Sequence, residues 1–204
     1  NGMIPIVEMH DTTGNWERLL EVLDFWLREE TLQMITNHQE YLILNVGNEP
    51  GAQEIAPDEF FGMYNMIVTK MRAVGIRVPI MIDADNWGQS EKNILAVGPR
   101  LLHADPEHNL LFSIHMWWPS ERHDAKTTGF ATVQERVTAC LEKSVEIKLP
   151  LVVGEFAPMA VAGAREIPYR HIMGECERLN IGWLCWSWGP GNADSPEMDM
   201  TEHG

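Results

Sequence analysis

Tyr41-Leu42-Ile43-Leu44-Asn45-Val46-Gly47-Asn48-Glu49-Pro50 is the stretch whose reading decides the fold. Its first half is apolar with little alternation, which suits a strand covered on both faces in a parallel sheet. It then breaks into Gly-Asn-Glu-Pro, a turn that cannot continue a strand. Five other runs repeat this pattern: Ile4–Met9, Val78–Ile82, Leu110–Ile114, Leu149–Val153 and Ile181–Trp186. Their starts lie 32 to 39 residues apart. Helical signals fill the intervals. Asn15 is placed to cap a helix through Leu19, Leu23 and Leu27, and Pro57-Asp58-Glu59 opens another that ends at Gly75. Thr132-x-x-Glu135 reads as a capping box, and Pro168 sits at a first turn before Ile172 and Leu179. Strand, helix, strand repeated in this way predicts βαβ units and a parallel sheet.

An open doubly wound sheet and a (β/α)8 barrel both fit. No glycine-rich phosphate loop follows the first strand, which weakens the nucleotide-binding sheet. The polar residues favour the barrel. They sit at each strand's C-terminal end: His10-Asp11, Asn48-Glu49, Asp83 with Asp85-Asn86, His115, Glu155 and Ser187. Barrel active sites are assembled there from several strands. No segment has a linker composition, so residues 1–204 read as one domain.

Composition narrows the function. Thirty acidic against fifteen basic residues, a net charge of −15, disfavour a nucleic-acid partner. No apolar run approaches the ~20 residues that span a bilayer, so no membrane partner is expected. A hydrophobic share of 45% excludes wholesale disorder. No basic and apolar leader is visible at Asn1, and both ends are compatible with a cut. Cys140, Cys176 and Cys185 show no metal-ligand spacing; one pair is able to bridge, without a way to say which.

Glu49 and Glu155 each follow a buried strand. Taken alone, either reads as a solvated loop residue or a first-turn acid. Taken together, at the ends of two strands of one barrel, they are the pair that glycoside hydrolysis needs, one protonated and one ionised. Asn48 offers an amide for a sugar hydroxyl, beside its ordinary role in a turn. His10 and His115 end two more strands. A metal site of His10, Asp83 and His115 is the weaker alternative, since no His-x-His pair is present. The chain has eight tryptophans. Trp16 and Trp26 read as core, while Trp87, Trp117, Trp118, Trp186 and Trp188 lie past strand ends, where flat rings stack on sugars. Trp186 and Trp188 alternate, so on a strand they share a face.

Together these motifs resemble glycoside hydrolase family 5. His10-Asp11, Asn48-Glu49-Pro50, Ser113-Ile114-His115, Gly154-Glu155-Phe156 and Trp186-Ser187-Trp188 look like its ordered signature. Val7–Gly14, Leu44–Pro50, Asp83–Gln89 and Phe112–Met116 are similar to its bacterial endo-β-1,4-mannanase branch. The resemblance implies a retaining endo-hydrolase of β-mannan, with cellulose as the alternative substrate. It implies Glu49 as acid/base and Glu155 as nucleophile, with Asn48, His10, His115, Trp117, Trp87 and Trp186 around the sugar. It also implies secretion and no cofactor. Two departures stand out. His115-Met116-Trp117 replaces the family's usual His-x-Tyr, whose hydroxyl touches the nucleophile. The first strand here matches the family's third, so about six βα units are present and the first two strands and closing helix are expected to be missing. A fragment, a domain-swapped homo-oligomer and a reduced barrel are all compatible with that, and so is a catalytically impaired carbohydrate-binding barrel.

Overall fold

The computed structural model describes residues 2–160, 165–189 and 196–201. The chain divides into two compact units, Asn1–Ser113 with Lys148–Pro150, and Ile114–Ile147 with Leu151–Gly204.

The first unit contains strands β1 (Ile6–Glu8), β2 (Ile43–Asn45) and β3 (Ile80–Asp83), and β4 (Leu110–His115) as far as Ser113. Each is parallel to the next, and the pairings Val7 with Leu44, Asn45 with Met81 and Asp83 with Ser113 set the register. Helices α1 (Arg18–Trp26), α2 (Glu29–His38), α3 (Pro57–Ala73) and α4 (Glu91–Ala104) lie between the strands in sequence. Leu44, Ile80, Ile82 and Phe112 have no exposed surface, and neither do Leu19, Trp26, Phe60, Tyr64, Ile67, Met71 and Ile94 of the helices. This is the two-sided burial that the unbroken apolar runs require. Trp16 is buried and stacks on Phe60 at 5.7 Å, and Trp26 donates its indole N–H to the Val46 carbonyl at 2.9 Å. Both tryptophans are core, as their leucine-rich surroundings predict.

The second unit contains the end of β4, β5 (Leu151–Glu155), the short antiparallel pair β6 (Met159–Ala160) and β7 (Arg165–Glu166), and β8 (Gly182–Trp183), which is parallel to β5. Helices α5 (Ala125–Thr128), α6 (Val133–Glu146) and α7 (Tyr169–Leu179) complete it. Val137, Leu141, Ile172 and Cys176 form the apolar contact face of α6 and α7, all fully buried. None of the three cysteines forms a disulfide, and burial pushes the Cys176 thiol up to about 11.

Several local expectations need correction. Asn15 does not cap α1; its N–H closes a turn onto the Thr12 carbonyl, and the cap position is Glu17, without a side-chain bond. The leucine periodicity runs on past Trp26, but Arg28 is extended and divides α1 from α2. Helix α4 runs through Gly98 and Pro99, two residues of low helix propensity. A Cβ on Gly98 would come within 2.8 Å of Leu149, so close packing explains this glycine. The last apolar run is a strand only at Gly182–Trp183. Leu184 N–H still bonds Val153, but Trp186 N–H bonds Phe156. Three residues of one segment then oppose two of the other, and the ladder ends. Trp186 and Trp188 therefore do not share a strand face.

Other expectations hold. Thr132 Oγ1 accepts the Glu135 N–H at 3.2 Å, though Glu135 reaches back to Ala131 and not to Thr132 itself. Helix α3 begins at Pro57 and is followed by Gly75 at φ +95°. Pro168 directly precedes α7. Among the described residues no helix is long and apolar enough to cross a membrane.

A buried ion pair closes the N-terminal ends of β3 and β4. Arg72 forks onto both Asp105 oxygens at 2.9 Å and also donates to the carbonyls of Ile76, Val78 and Asn109. Burial works to raise the Asp105 pKa, but the bonds from Arg72 and from backbone N–H groups prevail and hold it below the ordinary carboxylate range. The pair should therefore stabilise the fold above pH ~4, with the contribution lost as the pH falls through the lower folded value. Arg72→Met strands a buried carboxylate and is expected to cost about 3–5 kcal/mol near neutral pH. It should also flatten the decline of stability between pH 5 and 3, as read by urea denaturation at each pH. An unchanged denaturation midpoint would contradict this account.

Candidate active site

In the first unit the polar residues gather where β1, β2 and β3 end. The turn after β2 is held from several sides. Asn48 N–H bonds the Met9 carbonyl at 2.9 Å, Thr12 Oγ1 donates to the Asn48 carbonyl, and Gly14 N–H bonds the Glu49 carbonyl at 2.9 Å. A Cβ on Gly47 would lie 2.7 Å from Thr12 Oγ1, so only glycine permits this approach. Glu49 is mostly buried and has φ +45°, the left-handed region. Its N–H donates to Asp83 Oδ2 at 3.0 Å. Asn48 donates through Nδ2 to Thr13 Oγ1 at 2.9 Å, while its buried Oδ1 meets no donor among the described residues. That oxygen is able to accept a hydroxyl proton from a bound molecule.

Asp83 and Asp85, the polar pair after β3, are fully buried. Asp83 Oδ1 accepts from Asn45 Nδ2 at 2.9 Å, and its carbonyl accepts the Tyr64 hydroxyl at 3.3 Å. Burial first, then the charges of Asp83 and Asp85, push the Tyr64 phenol well above its usual range, so it remains a neutral donor. Asp85 accepts from Ile55 N–H at 2.6 Å and Asn93 Nδ2 at 2.8 Å, which ties the segment after Pro50 to α4. Burial raises the Asp85 pKa against these bonds. His10 is exposed, with Nδ1 3.0 Å from Glu8 Oε1. Trp87 is 42% exposed, and its ring covers Gly14 so closely that a Cβ there would overlap it.

In the second unit Glu155 ends β5 and is mostly buried. Its Oε2 receives the Trp117 indole N–H at 3.1 Å, and His115 Nδ1 lies 3.4 Å from the same atom. So the tryptophan that replaces the family's usual tyrosine makes the contact with its own donor. His115 is buried, and Met116 N–H bonds the Glu155 carbonyl at 2.9 Å, which fixes the 115–117 segment beside β5. Trp186 and Trp117 are half-buried, and Trp188 is exposed. Trp118 is not a rim residue. It is buried, with the Arg136 guanidinium 3.8 Å over its ring.

The sequence pattern placed every one of these groups at a strand end, but it gave Asp83 no part beyond the metal alternative. Its carboxylate faces N–H donors, and the signal that was available is an ionisable residue closing an otherwise apolar strand.

A parallel βα repeat with carboxylates, an amide and tryptophans at the strands' C-terminal ends is the arrangement of a barrel-type enzyme site. The model of one family, Cellulase (glycosyl hydrolase family 5), matches residues 1–192, and the chain belongs to it. Its parallel α/β architecture is that family's barrel fold. Among its relatives, a mannan endo-1,4-beta-mannosidase of Cellvibrio japonicus (strain Ueda107) is 28% identical over 98% of this chain and 44% of its own length. Another, from Salipaludibacillus agaradhaerens, is 29% identical over 99% of this chain and 61% of its own. The crystal structure of a beta-mannanase from Streptomyces thermolilacinus is 34% identical with a TM-score of 0.79, covering 97% of this chain and 63% of that one. The chain thus spans about half the length of the curated relatives it matches.

The fit of Trp87 over Gly14 gives a test of the local geometry. Gly14 has φ +69°, so Gly14→Ala combines backbone strain with the ring clash. It is expected to cost more than the ~1 kcal/mol of the backbone alone. Adding Trp87→Ala should recover the excess, as a double-mutant cycle by chemical denaturation would show. Strict additivity of the two changes would mean the ring does not sit on this glycine.

Proposed function

We propose that the protein is a retaining, endo-acting hydrolase of β-1,4-linked mannan, working as one catalytic domain, with Glu155 as nucleophile and Glu49 as acid/base. The observation that carries this reading is the setting of Glu155, a strand-end carboxylate whose Oε2 is met by the Trp117 N–H and by His115 Nδ1. An N–H donor aimed at one carboxylate oxygen suits an anion and holds the other oxygen in a fixed direction. In the first step a Glu155 oxygen bonds the anomeric carbon while the bond to the leaving sugar oxygen breaks, and that oxygen takes the Glu49 proton. In the second step water bonds the anomeric carbon, its proton passes to Glu49, and the bond to Glu155 breaks. Such a double displacement needs carboxyl groups ~5–5.5 Å apart. Asn48 Oδ1, without a donor among the described residues, suits the hydroxyl next to the anomeric carbon, and Trp87 and Trp186 are the rings proposed to stack on the pyranose. Mannan is favoured over glucan because the relatives with known activity named above are mannanases. An extracellular site of action fits a polymer too large to enter a cell.

Glu155→Ala and Glu49→Ala should each lower release of reducing sugar from mannan by at least ~10²-fold, the usual scale for losing such a group. Substantial activity in either variant sinks the assignment, and faster release from carboxymethylcellulose than from mannan moves the substrate to glucan. Trp117→Phe removes one donor and keeps an aromatic ring. One hydrogen bond to a charged group is worth ~1.5–3 kcal/mol, so kcat on mannan should fall roughly 10- to 100-fold. Unaltered turnover would show that the indole bond does not bear on Glu155.

A further inference from the structure

We propose that Asp83 is the positioning residue for the acid/base glutamate: its buried carboxylate holds Glu49 in the left-handed backbone conformation from which Glu49 delivers its proton. This rests on the reading of Glu49 as acid/base. Glu49 has a Cβ and φ +45°, a strained combination that persists only where neighbours over-determine it. The neighbours are visible. Asp83 Oδ2 takes the Glu49 N–H at 3.0 Å, and the Gly14 N–H takes the Glu49 carbonyl at 2.9 Å. Both peptide groups of the strained residue are thus held. Of the two holds, the Asp83 bond is charge-assisted and the stronger.

Asp83 is itself placed without slack. It ends β3, in ladder with Ser113, and has no exposed surface. Asn45, which also has almost none, steers Oδ1 from β2 through Nδ2 at 2.9 Å. Tyr64 of α3 bonds its carbonyl. A carboxylate is a costly group to bury for packing alone. A neutral side chain of the same size could join β2 to β3. What the charge adds is a firm grip on one peptide N–H, and that peptide belongs to Glu49.

The test compares Asp83→Asn, Glu49→Gln and the double variant through kcat/KM. The substrates are mannan and a dinitrophenyl β-mannobioside, whose leaving group departs without a proton. Glu49→Gln should lose activity on mannan and retain it on the activated glycoside. Asp83→Asn should show the same split in weaker form, roughly 10- to 100-fold on mannan and within about 3-fold on the activated glycoside, within the range open to acid catalysis. In the Glu49→Gln background it should add little. Equal losses on both substrates for Asp83→Asn, or effects that multiply with Glu49→Gln, would overturn the positioning role. Equal losses for Glu49→Gln itself would overturn the acid/base reading and this inference with it. Should Asp83→Asn fail to fold, Asn45→Ala, which releases Oδ1, takes its place with the same expected split and the same overturning result.

Discussion

A strand buried on both faces can carry polar groups only where it ends, and each of those groups must then find a partner. The first unit obeys this constraint around one carboxylate. Asp83 is the last residue of β3 and has no access to water. Its oxygens are met by an amide from β2 and by a peptide N–H from the turn that follows β2. The turn takes its shape from these bonds, from the close approach of Gly47 to Thr12 and from the Trp26 indole on Val46. Glu49 and Asn48 present their side chains as they do because the backbone beneath them cannot relax.

The second unit solves the same problem with different groups. Glu155 also closes an apolar strand, and its Oε2 is met by Trp117 and His115. An indole N–H only donates; it can neither accept nor ionise in the working range. The contact therefore has one polarity, from indole N–H to carboxylate oxygen. Met116 lies between the two partners and is fully buried, so alternate residues of the segment face the core and the carboxylate. That alternation brings His115 and Trp117 to the same carboxylate.

Legibility in the sequence followed the physics of each element. The apolar runs around β2, β3, β4 and β5 read correctly as strands, because burial on both faces leaves no alternation to confuse. Prolines and acids at Pro57 and the Thr132–Glu135 box read correctly as helix starts, since capping is local chemistry. What failed was decided by distant partners. The segment after Trp183 leaves the ladder because β5 supplies three residues against two. Trp118 reads like its neighbour Trp117, yet Arg136 from α6 covers it.

The sequence by itself determined the βα repeat, the strand-end position of every candidate group and the resemblance that gives Glu49 and Glu155 their parts. These follow from spacing and residue type, which need no knowledge of neighbours. Only the tertiary structure decided which groups hold which. It turned Asp83 from a polar strand end into the anchor of the Glu49 peptide, and it showed that Trp117 still reaches Glu155. It left Asn48 Oδ1 buried without a donor among the described residues. A hydrogen bond between residues thirty or more positions apart depends on register and direction, and those are fixed only when the strands have paired.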